Sequence, residues 1–200
     1  IFELLRPATG VDFRHYKPAT IRRRLQRRMA LHRVMQVVDY IQLLQSVPAE
    51  LRRLFQDLLI HVTQFFREPE SFAAMVQQIF PALIENRDPG HPIRVWVCGC
   101  ATGEEAYSVA ITLVEFLQKR HSDLRVQIFA TDVSDAAIEH ARAGIYPASI
   151  AEDVGAERLR RFFTLTDGHY RVSKDIRDMC VFARQDLTRD PPFSRLDLVL

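Results

Sequence analysis

The stretch from Arg94 to Ala110, RVWVCGCATGEEAYSVA, constrains the fold more than any other part of the chain. Val95, Trp96, Val97 and Cys98 make an unbroken apolar run, the pattern of a strand buried on both faces of a parallel sheet. The run breaks at Gly99 into Gly99-Cys100-Ala101-Thr102-Gly103. Glu104 and Glu105 then open a segment, Ala106 to Leu117, whose apolar residues recur at helical spacing, and the helix dipole favours acidic residues in a first turn. Strand, glycine turn and helix in this order bring a ligand against bare backbone at the carboxyl end of a strand, where open α/β sheets hold their ligands.

The residue types narrow the ligand. A phosphate loop requires the lysine of GxxxxGK[ST] and a dinucleotide site requires GxGxxG, whereas here the spacing is Gly99-x-x-x-Gly103 with two carboxylates following. Those carboxylates repel pyrophosphate and suit a cation, such as a ligand with an ammonium group and a sulfonium. A tight turn in any α/β protein accounts for the glycines but not for the paired glutamates. The next apolar run, Val126 to Asp132, ends in an aspartate, which is how nucleoside-binding sheets hold ribose hydroxyls. The alternative is that Asp132 or Ser134 caps a helix over Ala136 to Ala143. Glycine turn, acidic first turn and ribose aspartate together fit S-adenosylmethionine.

At 200 residues, with 48% hydrophobic and 26% charged, the chain has room for one or two globular domains. It shows neither an apolar run of membrane-spanning length nor a signal peptide, so a cytoplasmic location without membrane insertion is expected. Cys98, Cys100 and Cys180 lack a second pair or a histidine cluster, so buried thiols are expected and no metal.

The net charge of +2 conceals a basic amino-terminal stretch with Lys17, Arg22, Arg23, Arg24, Arg27, Arg28 and Arg33. Helices are predicted over Ile1 to Thr9, over Ile21 to His32 with Thr20 as cap, over Asp39 to Leu44 and over Glu50 to Val62. Ile21, Leu25 and Met29 form the apolar stripe of the second helix, which turns Arg22, Arg23 and Arg27 outward, with Lys17 beside them. The resulting ridge is either a solvated face or a site for an acidic partner. No aromatic interleaving favours nucleic acid.

The segment HVTQFFREPESF places Arg67 beside aromatic residues. Arg67 either pairs with Glu70 on the surface or grips a ligand carboxylate in bidentate fashion. ENRDPGHP, residues 85–92, reads as a linker into the first strand. Further on, Thr166-Asp167-Gly168-His169 lies between β-prone runs and signals a hairpin, Cys180 to Phe182 reads as a strand, and Leu196 to Leu200 begins one more.

With these residues in hand, the chain resembles the CheR family of chemoreceptor glutamate methyltransferases along its whole length. The strings that carry the resemblance are TGVDFRHYKPATIRRRLQRRM, LLIHVTQFFREPESF, VWVCGCATGEEAYSVA, FATDVSDAAIEHARAGIY and DPPFSRLDLVL. It implies an all-α amino-terminal domain, expected over residues 1–78, and an α/β, Rossmann-like S-adenosylmethionine-dependent methyltransferase domain over 79–200, with a small inserted antiparallel β-subdomain at about 160–181. The family continues beyond the position of Leu200, so a fragment is expected, of the kind also found in fusions with methylesterase and PAS modules.

Carried over by resemblance, Arg67 would hold the methionyl carboxylate with Thr63 and His61 beside it. Gly99 and Gly103 would form the cofactor turn, Glu105 would hold the ammonium group and Asp132 the ribose, and Asp186 and Leu187 would lie near the adenine. His61 and Asp186 stand where the family often has Asn. Lys17, Arg23, Arg27 and Arg28 would meet the cytoplasmic helices of chemoreceptors. The short hairpin turn implies no tether to a receptor's carboxyl-terminal pentapeptide. The implied reaction moves a methyl group from S-adenosyl-L-methionine to receptor glutamates and leaves S-adenosyl-L-homocysteine. No general base is implied, and Arg67 is the nearest candidate for a catalytic role. The alternative is a non-catalytic cofactor-sensing or receptor-docking domain of a larger signalling protein.

Overall fold

A computed structural model describes residues 1–59, 63–85, 87–88 and 90–200, with backbone alone at His15. The chain divides into two compact units, Ile1–Ile60 and His61–Leu200. Residues 63–78, expected with the first domain, count with the second, because Phe65, Phe66 and Met75 are buried in its core.

The first unit consists of α1 (Phe2–Thr9), α2 (Pro18–Leu31), α3 (Val37–Ser46) and α4 (Pro48–Leu58). Gly10, in the left-handed conformation, ends α1. The second helix starts earlier than Thr20: Lys17 is its N-cap and Pro18 occupies the first turn, where a missing N–H costs nothing. Lys17, Arg22, Arg23 and Arg27 are exposed on it, as the apolar stripe requires.

Arg28 departs from the expected outward ridge. Its side chain is 11% exposed and Glu50 is 1% exposed, and the two form a bidentate pair, with Arg28 Nε at 2.9 Å from Glu50 Oε1 and Nη2 on Oε2. Tyr40 Oη donates to Glu50 Oε1 at 2.8 Å, and His32 Nε2 lies 2.8 Å from Glu50 Oε2. Arg28 therefore ties α2 to α4 and is unavailable to a partner, because stripping a buried carboxylate of its cation costs more than a surface contact returns.

The second unit begins with α5 (Pro69–Ala74), which runs through a π-helical turn, Met75–Ile79, into α6 (Phe80–Ile84). Then follow β1 (Ile93–Cys98), α7 (Glu104–Lys119), β2 (Val126–Asp132) and α8 (Asp135–Ala143). An inserted region follows, with β3 (Ile145–Pro147), α9 (Ala151–Val154), α10 (Ala156–Phe162), β4 (Phe163–Thr166) and β5 (His169–Val172). α11 (Lys174–Asp178), β6 (Cys180–Arg184) and β7 (Leu198–Val199) complete the unit.

The main sheet is parallel, in the order β6-β2-β1-β7. Val95 and Val97 of β1 and Ile128 and Ala130 of β2 are fully buried, which accounts for their continuous apolar runs. From β1 the chain winds outward through α7 and β2 to β6, then returns to β7 on the other side of β1. That reversal is a topological switch point, and it leaves a crevice at the carboxyl end of β1.

The small sheet is antiparallel, in the order β3-β5-β4. Its hairpin turns through Asp167 and Gly168, both at positive φ, as a two-residue type I′ turn demands. Sequence reading placed this region at about 160–181 and missed β3, a three-residue strand too short to show periodicity; Cys180 instead opens a strand of the main sheet. Among the described residues no helix is long and apolar enough to cross a membrane.

Candidate cofactor site

The turn after β1 is built from left-handed backbone at Gly99 (φ 68°), Ala101 (φ 46°) and Gly103 (φ 97°). The two glycines serve different ends. A Cβ on Gly99 would meet nothing within 4 Å, so this backbone borders open space at the end of the strand. A Cβ on Gly103 would lie 2.8 Å from Ala141 Cβ and 3.1 Å from Tyr146 Oη, so Gly103 is required by the packing of α7 against α8 and β3. Tyr146, buried, donates its hydroxyl to the Thr102 carbonyl at 2.7 Å and so fixes the turn from below.

Asp132 ends β2 and braces this turn. Its Oδ2 accepts from the Ala101 N–H at 3.0 Å and its Oδ1 from the Ser134 N–H at 2.9 Å. Ser134 is the cap of α8, accepting from the Ala137 N–H at 3.3 Å, so the aspartate is not spent on capping. Each carboxylate oxygen has a further lone pair for a ligand hydroxyl.

Glu105 stands in the first turn of α7, one turn of chain beyond Gly99. Glu105 is exposed. Loss of water and the nearby Glu68 carboxylate raise its pKa above the usual carboxylate range, and the Arg67 guanidinium opposes the rise. A carboxylate with a raised pKa is a site that a cation stabilises.

Arg67 reaches this place on a loop held at several points. Phe65 and Phe66 are buried, and the Phe66 N–H donates to Ser108 Oγ at 2.9 Å, which in turn donates to the Glu104 carbonyl at 2.7 Å. Phe66 (φ 51°) and Glu68 (φ 58°) flank Arg67 in left-handed backbone, a conformation that bulky residues adopt only where their surroundings impose it. The sequence did not single out Ser108, because a serine in mid-helix gives no sign of a partner far away in the chain.

Thr63 lies at the start of this loop and is half-buried, and His61 lies outside the described residues. Asp186 and Leu187 follow β6, next to the end of β2, where the Gln185 N–H donates to the Asp132 carbonyl at 2.9 Å. The Asp186 carboxylate accepts from the Thr188 N–H at 2.9 Å and its hydroxyl at 2.7 Å, which organises the turn, and Leu187 is 53% exposed. The thiols stay protonated: burial and the Asp132 charge push Cys100 up to about 12.

The ends of β1, β2 and β6 thus gather a bare-backbone turn, a carboxylate that favours a neighbouring cation, a guanidinium and a further carboxylate. These residues fit S-adenosylmethionine, whose amino-acid end carries one charge of each sign and whose ribose offers hydroxyls. A parallel sheet with such a site at its switch point defines a Rossmann-like nucleoside-binding domain. Residues 61–200 match the CheR methyltransferase SAM-binding domain, and residues 1–59 match the CheR methyltransferase all-alpha domain. The chain belongs to the CheR methyltransferase family, and the cofactor of its second unit is S-adenosyl-L-methionine.

Among similar proteins, an uncharacterized 104.1 kDa protein of Rhodobacter capsulatus is 42% identical over 100% of this chain and 21% of its own length. Chemotaxis protein methyltransferase 2 of Pseudomonas aeruginosa is 32% identical over 92% of this chain and 65% of its own length. The chemotaxis protein methyltransferase of Borreliella burgdorferi is 27% identical over 95% of this chain and 70% of its own length. The chain thus spans about a fifth of the first relative (21%) and under two thirds of the second (65%).

Proposed function

We propose that this chain is the cofactor-holding part of a protein-glutamate O-methyltransferase that converts chemoreceptor glutamates to methyl esters in chemotaxis adaptation. The observation that carries the reading is the turn after β1, where the bare Gly99 backbone borders open space and the Asp132 carboxylate braces the turn through the Ala101 N–H at 3.0 Å. Arg67 and Glu105, which influence one another electrostatically and are opposite in charge, suit an amino acid's carboxylate and ammonium. Asp132 takes the ribose, Thr63 lies at the methionyl end, and Asp186 and Leu187 line the adenine side.

The bound cofactor supplies an electrophilic methyl carbon on a sulfonium. A receptor glutamate has an ordinary pKa of ~4.3 and is already nucleophilic at neutral pH, so the chain needs no general base. Its residues act by orientation and by excluding water. Lys17, Arg23 and Arg27 are among the exposed cations at α2 and suit a glutamate-rich receptor helix. The two-residue turn between β4 and β5 favours docking without a carboxyl-terminal peptide tether.

The test is methyl transfer from radiolabelled S-adenosylmethionine to receptor, followed by mild alkali. Release of the label as methanol identifies a glutamate ester. Label that resists alkali, or that appears on nucleic acid or a small molecule, overturns the assignment.

A further inference from the structure

Gln64, Phe65 and Phe66, which lead directly to Arg67, are each gripped by a different part of the inserted region. Gln64 Nε2 donates to Asp153 Oδ1 of α9 at 2.8 Å. The Phe65 ring stands edge-on to Tyr146 of β3, with centroids 4.9 Å apart, and to Phe163 of β4 at 5.6 Å. The Arg158 guanidinium of α10 lies over the Phe66 ring, 3.9 Å from its centroid.

Arg158 is itself aimed. Glu115 of α7 holds it in a fork, with Nε to Oε1 at 3.0 Å and Nη2 to Oε2 at 2.9 Å. A guanidinium fixed by a carboxylate on one side keeps its flat face on the ring, and a cation over an aromatic face is attracted by the ring quadrupole. The side chain so pinned belongs to the left-handed residue immediately before Arg67. Pinning its ring on one side and its N–H on the other fixes the direction in which the chain leaves for Arg67.

We propose that Arg158 is a positioning residue for the cofactor's amino-acid end: held by Glu115 and stacked on Phe66, it keeps the loop in the conformation that presents Arg67. The inserted region then acts as a clamp on the site, in addition to any part it has in meeting a receptor. The inference rests on the reading of Arg67 as the partner of the methionyl carboxylate.

The test measures binding of two probes by titration calorimetry in the Arg158→Met variant, which retains apolar bulk but loses the charge and the fork. S-adenosylhomocysteine carries the amino-acid end and 5′-methylthioadenosine lacks it. Arg158→Met is expected to weaken the first roughly three- to tenfold and leave the second unchanged, as the loss of one cation–π contact implies. On an Arg67→Ala background the same change is expected to add little.

Equal weakening of both probes marks a general loosening of the fold and overturns the proposal, as does full additivity with Arg67→Ala. Should Arg158→Met fail to fold, Glu115→Gln releases the aim while leaving the guanidinium, and the same selective pattern is expected. Loss of affinity in Arg67→Ala without loss in Arg158→Met sinks this inference alone. Unchanged affinity in Arg67→Ala sinks the reading beneath it as well.

Discussion

Glu105 sets function against stability. Its carboxyl has a pKa raised by burial and by Glu68, so the ionised form is less favoured in the folded chain than in the unfolded one. Folded stability therefore declines as pH rises from the ordinary glutamate pKa through the raised one, and the full penalty stands above it. Glu105→Gln is expected to raise the melting temperature slightly at neutral pH while weakening S-adenosylhomocysteine binding. In the wild type, affinity should fall as acidification protonates Glu105, at a pH above the ordinary glutamate range. A calorimetric pH series that stays flat there contradicts the assignment of the ammonium group. The glycines make a second contrast. Gly103→Ala meets both strain at φ 97° and a contact at 2.8 Å and should cost well over the ~1–2 kcal/mol of left-handed backbone. Gly99→Ala has only the strain but projects into the open space, so it should lower affinity more than stability. In the sequence the two glycines looked alike. What separates them is Ala141 and Tyr146, which come from elements not yet placed when only the turn is read.

Helix α2 shows how far a periodic pattern carries. The stripe of Ile21, Leu25 and Met29 correctly turned Lys17, Arg23 and Arg27 to solvent, because helical geometry alone decides which residues share a face. The expectation that Arg28 joins them in meeting a receptor fails, because its partner Glu50 lies 22 residues on and on another helix. Nothing local marks such a pair. Arg28→Ala should destabilise the first unit by about 3–5 kcal/mol in urea unfolding, since it strands a buried carboxylate. Arg23→Ala and Arg27→Ala should each change it by less than about 0.5 kcal/mol. Burial alone would raise the pKa of Glu50, but bonds from Arg28, Tyr40 and His32 outweigh it and lower the value. This contribution to stability is present above the unfolded pKa and is lost as pH falls through the folded one, so the first unit should weaken on acidification. Persistence of its full urea stability below the ordinary glutamate pKa would show the pair to be unimportant.

At the scale of the molecule, the parallel sheet, its strand-turn-helix and the inserted hairpin were legible because each has a local signature. The strand order was not, since register across a sheet is settled by packing. The receptor reading is tested at this scale too. Arg23→Glu with Arg27→Glu should raise the apparent KM for receptor severalfold and leave S-adenosylhomocysteine affinity unchanged, and added salt should act likewise on the wild type. A receptor KM indifferent to both would move the docking surface away from α2. The switch point described for the main sheet also governs how the molecule comes into being. β1 is expected to pair early with β2, its neighbour in the chain, whereas the Arg94 N–H meets the Asp197 carboxylate, 103 residues away, only when β7 docks on the other side. Closing so long a loop is slow, because the entropy is lost before the contacts form. We therefore expect the crevice beside Gly99 to be walled late, once β7 has docked, which on a growing polypeptide places it after most of these residues have been made; pulsed hydrogen exchange that protects β7 as early as β2 would contradict this.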